Sequence, residues 1–144
     1  MMFSPADISR WALIALGLGS DPDEVAAWPI FATGEPTSPD DCITVYDTAG
    51  NDDGRAMTSG ELFSHYGIQI RVRAVDHETG WVKADSLRTV MSQQVNALLL
   101  AVGSSNYLVH AFTKIGVVLP IGKDAPKSKR SLFTINLTAA IRRL

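Results

Sequence analysis

The stretch Gly67-Ile68-Gln69-Ile70-Arg71-Val72-Arg73-Ala74-Val75 decides how the rest of the chain is read. Ile68, Ile70, Val72 and Ala74 alternate with Gln69, Arg71 and Arg73, the period of two expected of a strand with one buried face. Asp76 follows at once and supplies a side chain that can cap a helix. Beyond it Trp81, Ala84, Leu87, Met91, Val95 and Leu98 recur at helical spacing, with Lys83, Ser86, Ser92, Gln93 and Asn96 elsewhere. A helix patterned this way lays its apolar stripe on a core, and the neighbouring strand offers an apolar face for it.

Upstream, Ser4 and Pro5 read as the cap and first position of a helix. Ile8, Trp11, Ala12 and Ala15 form its stripe, and Gly17 and Gly19 end it. Trp28–Thr33 is a short strand that Pro29 marks as an edge or a strand start, and Cys42–Thr48 is a second strand. Downstream, Asn106–Lys114 and Gly116–Ile121 are further strands. In a last strand, Ser131–Ile141, one face is taken by Phe133, Ile135, Leu137, Ala139 and Ile141. The expected order is α-β-β-β-α-β-β-β. It implies an α+β fold, a mixed, largely antiparallel sheet with two helices packed on one face. No internal repeat or linker divides it, so 1–144 is read as a single domain.

At 144 residues, 46% hydrophobic and 19% charged, the chain matches an ordinary globular domain and not a disordered one. One cysteine, Cys42, gives no disulfide framework. Pro5, Asp7 and Arg10 stand where a signal peptide would need apolar residues. The apolar run from Ala97 to Gly103 is far short of the roughly 20 residues that cross a bilayer. Folding in a cytoplasm, with no membrane contact, is the expectation.

Searches for chemistry fail on spacing. Gly116 to Gly122-Lys123-Asp124 puts five residues between the glycines and Asp after the lysine. A P-loop needs four, then Ser or Thr to hold magnesium. An EF-hand frame begun at Asn51 places Arg55 at a ligand position and Ala56 where glycine must turn the chain. His65, His77 and His110 form no ligand pair, and no G-x-S-x-G elbow is present. Neither a catalytic residue, a metal nor a cofactor is assigned. A small metal-dependent nuclease built on the acidic loop is the reading from a different class, to be tested at Asp52 and Asp53.

Charge is divided along the chain. Residues 1–66 hold eleven acidic and two basic side chains; residues 67–144 hold four acidic and eleven basic. Such halves suit copies that pack acidic edge to basic edge. Two polar segments, Ala49–Ser64 and Gly122–Arg130, lack the periodicity to bury themselves and are read as loops that order against partners. The residues assigned to contacts with a neighbouring copy or another partner are Asp52, Asp53, Arg55, Arg71, Arg73, Lys123, Asp124, Lys127, Lys129 and Arg130. No aromatic residues interleave with the basic cluster, so contact with genomic DNA is at most passing.

Three stretches taken in order carry a resemblance. They are Trp28-Pro29-Ile30-Phe31 with Ile43 to Gly50; Gly67 to Ala74 running into a helix with Ala84, Leu87 and Arg88; and Gly122-Lys123-Asp124 with Arg130 and Phe133 to Asn136. From Trp28 to the C-terminus the chain resembles the tail-terminator and minor-capsid proteins of siphophages, of the lambda tail-terminator type. The resemblance implies a structural virion protein without enzymatic activity. Its copies would form a ring, usually of six, capping the tail tube and joining it to the head–tail connector. Another neck or head-completion protein of the same particle is the neighbouring alternative.

Overall fold

The computed structural model describes residues 3–24, 26–37, 39–55, 62–93, 98–123 and 129–143. Helix α1 spans Pro5–Ala15, and the Ser4 side chain accepts from the Asp7 N–H at 3.2 Å. The helix ends at Leu16. Gly17, at φ +76°, lets its own N–H reach Ile14 O and the Leu18 N–H reach Leu13 O, each at 3.0 Å. These two bonds satisfy carbonyls that a helix end leaves open. The buried side of α1 is Ala6, Ile8, Ala12 and Leu13. Ala15, placed in the stripe by sequence, is exposed, and Trp11 is half-buried.

Strand β1, Ile30–Ala32, lies parallel to β2, Cys42–Arg55, while β3, Leu62–Ala74, runs antiparallel to β2. Helix α2, His77–Gln93, follows β3. Then come β4 (Leu98–Val102), β5 (Ser105–Thr113), β6 (Leu119–Lys123) and β7 (Ser131–Arg143). The sheet order is β1-β2-β3-β7-β5-β4, and β6 pairs with β7 alone. β5 takes the C-terminal half of one β7 edge and β6 the N-terminal half. One parallel pair among antiparallel ones makes this the expected mixed α+β sheet.

Register explains the core. Ile43 faces Val72 and Val45 faces Ile70, while Ile68, Ile70 and Val72 face Leu137, Ile135 and Phe133. These side chains share one face and are buried with residues of both helices in a single cluster. Each such side chain is worth roughly 1.5–3 kcal/mol when buried. Helix α2 comes close to the sheet at Gly80, where a β-carbon would collide with the Phe133 ring.

Three expectations change. The segment 49–64 is not a loop throughout: β2 runs on to Arg55 and β3 begins at Leu62, paired Asn51 to His65, Asp52 to Ser64 and Arg55 to Leu62. Cross-strand bonds satisfy a backbone whose polar sequence had suggested solvent. Helix α2 stops at Gln93, and Leu98 opens β4, in which Leu100 and Val102 are buried while Leu99 and Ala101 are exposed. That is period two, not 3.6. Val95 lies outside the described residues, and Trp81 is 42% exposed, its ring edge-on to Phe133. The strand read at Gly116–Ile121 forms at Leu119–Lys123 instead.

Candidate interface

The sheet face opposite the helices carries the residues that sequence singled out by charge. Arg71 and Arg73 project there from β3, beside Thr44 and Cys42 of β2. Arg73 does not reach solvent: its side chain is 2% exposed. The segment after β1 folds over it. Arg73 donates to Pro39 O at 2.7 Å and Asp40 O at 3.2 Å, and pairs with Glu35 Oε1 at 3.2 Å. A guanidinium is suited to such a site because its planar fork meets several oxygens at once. Arg71 lies 3.7 Å from Glu35 Oε2 and packs over the Tyr46 ring at 5.4 Å. Burial, with Glu35 second, holds the Tyr46 hydroxyl above its ordinary pKa.

Arg130 ties the same segment from β7's side, donating to Thr37 O at 2.6 Å and pairing with Asp40 at 3.5 Å. Part of the acidic half therefore meets the basic half within one chain. Three of the assigned contact residues, Arg71, Arg73 and Arg130, are spent on this internal clasp. The charge count could not show it, because the pairing partners lie 33 to 93 positions away in sequence.

The remaining assignments divide. Asp52 and Arg55 take their places on β2 opposite Ser64 and Leu62, and the register shifts between Asp52 and Gly54 around Asp53. Lys123, the last residue of β6, and Lys129, just before β7, are exposed. Asp124 and Lys127 lie outside the described residues. Among the described residues no group of three or more His, Cys, Asp or Glu is arranged to hold a metal. His65, His77 and His110 are spread over β3, α2 and β5. No described helix is long and apolar enough to cross a membrane.

Two features escaped the sequence reading. The first is an exposed apolar stripe on the β6 edge: Val117 at 65%, Leu119 at 47% and Ile121 at 46% exposure. Pro120, which cannot donate to a further strand, was the available signal for an unpaired edge. The second is a pair of shallow depressions on either side of Trp28. One is bounded by Pro39, Asp41 and Val75; the other, about 430 Å³, by Glu78, Val82 and Lys83. Trp28 itself is held at φ +56°, a conformation in which a bulky residue is strained. The Lys83 ammonium sits 5.4 Å from its ring, and burial lowers the Lys83 pKa.

This geometry defines a small α+β fold whose unspent polar and apolar groups lie on its edges. The profile of the bacteriophage tail terminator protein family matches residues 12–141. The chain belongs to that family, and it is a structural component of the phage tail. No curated protein matches it. Among solved structures, a chain known only by a sequence designation matches at 16% identity over 95% of this chain and 91% of its own, with a TM-score of 0.48.

Proposed function

We propose that copies of this chain close into a ring, of six subunits as in the lambda type, that caps the tail tube and joins it to the head–tail connector. Membership of the tail terminator family, matched from the last turn of α1 through α2 and nearly the whole sheet, carries this reading. A ring subunit needs two different contact surfaces related by rotation, and the sheet has two dissimilar edges, β1 on one side and β4 with β6 on the other. The tail tube protein and the connector protein are the partners, assembly takes place in the host cytoplasm, and genomic DNA makes at most passing contact. Asp52, Asp53 and Arg55 at the end of β2, and the basic segment with Lys123, Asp124, Lys127 and Lys129, would meet these partners or the neighbouring subunit.

A phage lacking the gene tests the reading. Expected are tails of irregular length that do not join heads, with both defects restored by supplying the chain in trans. Tails of normal length beside heads that leak DNA would instead assign the chain to head completion.

A further inference from the structure

The exposed stripe and the Trp28 depressions lie on opposite flanks of α2. Arg88 faces the β6 side, donating from Nε to Gly116 O at 2.9 Å, whereas Lys83 faces Trp28. One surface is apolar and is flanked in sequence by exposed lysines: Lys114 before it, Lys123 and Lys129 after it. The other is concave, with apolar walls at Val75, Val82 and Trp28 and carboxylates at Asp40, Asp41 and Glu78. Asp40 already pairs with Arg130, and Asp41 accepts the Val75 N–H at 2.8 Å. Glu78 is exposed, as are Asp23 and Glu24 in the connector ahead of Trp28.

We propose that the Val117–Leu119–Ile121 stripe of one copy seats against the Trp28 groove of the next. The proposal rests on the ring reading above and supplies its subunit contact. Both surfaces are partly apolar, their charges are opposite in sign, and the two differ from each other. The contact is therefore heterologous, the kind that propagates around a ring. Strand addition across β6 is disfavoured, because Pro120 lacks an N–H and the register slips between Pro120 and Gly122, two features that blunt a sheet edge. Side chains, not backbone, make the contact. The lysines steer approach and fix orientation. A left-handed Trp28 fits a residue kept in place for a surface task.

Cross-linking the full chain tests this. Cys42 is wholly buried, so cysteines placed at exposed Leu119 and Val82 are the reactive ones. Under mild oxidation the double variant Leu119→Cys/Val82→Cys should give a ladder of covalent oligomers whose top rung counts the copies in the ring. The two single variants mixed should give dimers only, and each alone should give none. Independently, Leu119→Asp should weaken self-association about tenfold or more, the loss expected when one buried leucine contact is removed, with an unchanged circular dichroism spectrum. Wild-type chain that assembles while the double variant yields no ladder and Leu119→Asp associates normally overturns this contact and leaves the ring intact. Wild-type chain that stays monomeric both alone and on tail tubes overturns the ring and this contact together. Cross-linking of Leu119→Cys with itself would show an isologous contact and also overturn the proposal.

Discussion

Arg73 and Glu35 stand 38 positions apart in sequence and meet at 3.2 Å, with the arginine side chain 2% exposed and the glutamate 14%. A polar strand position thereby becomes the anchor for the segment that leads from β1 to β2. Removing one partner of a buried pair leaves the other charge uncompensated. Glu35→Ala is expected to cost about 3 kcal/mol, near the low end for a broken buried pair, because Pro39 O and Asp40 O still accept from Arg73. The Tm should fall by roughly 6–12 °C for a domain of this size. Arg73→Met combined with Glu35→Gln should cost at least as much as Glu35→Ala, since Pro39 O and Asp40 O then lose their donor. Thermal melts of the three proteins check this; an unchanged Tm for Glu35→Ala would show that the pair does not hold the segment.

Gly80 is where α2 touches the sheet. A methyl group there must displace the Phe133 ring, which is fully buried and also packs on His77 at 5.2 Å between centroids. Overpacking of this kind costs about 1–3 kcal/mol. Gly80→Ala should therefore lower stability in urea, although alanine is the better helix former. Gly34→Ala, with open space around its position, is the control and should change little.

Asp76 caps α2, accepting the Thr79 N–H at 2.8 Å. The Thr79 backbone bond, followed by its side-chain bond, holds the carboxyl's pKa below the ordinary aspartate value. A carboxylate whose pKa is depressed by folding stabilises the fold above its unfolded pKa and loses that contribution as pH falls through the folded value. Asp76→Asn keeps an acceptor at the cap but cannot titrate. Its stability deficit relative to wild type should be constant near neutrality and shrink below about pH 3.8. Urea midpoints measured across that range test the sign; a deficit that grows on acidification would contradict it.

The basic segment 122–130 can be probed by a charge reversal that spares Arg130. Arg130 is bound to Thr37 O and Asp40, so reversing it would disturb the clasp. Lys127→Glu with Lys129→Glu, leaving Arg130, should fold normally and weaken assembly. Wild-type association should also weaken as salt rises, because exposed charges are screened over about 10 Å at 0.1 M. Sedimentation of both proteins at low and high salt checks the pair of outcomes. Association that strengthens with salt in wild type would assign the contact to apolar burial alone.

The strands with unbroken alternation were legible. Ile68, Ile70 and Val72 on β3, and Phe133 through Ile141 on β7, announce their buried face at every second position. The ribbon beyond Thr48 was not, because two register shifts break its period and its residues Asn51, Asp52, Asp53 and Gly54 carry turn chemistry. Leu98 and Leu99 follow a helix closely enough to read as its last turn, and only the exposure of Leu99 beside buried Leu100 reveals β4. Among the contact residues, charge identified Lys123 and Lys129 as exposed. It could not foresee that Arg73 would be enclosed, since Glu35, Pro39 and Asp40 reach it only through the fold.

The ring-capping role is tested most directly by adding purified chain to isolated tail tubes that lack it and imaging them by negative-stain electron microscopy. Rings are expected at one end of each tube, with further tube growth from added tube protein arrested there. Tubes left bare and still growing, or chain bound along their sides, would contradict the role of terminator.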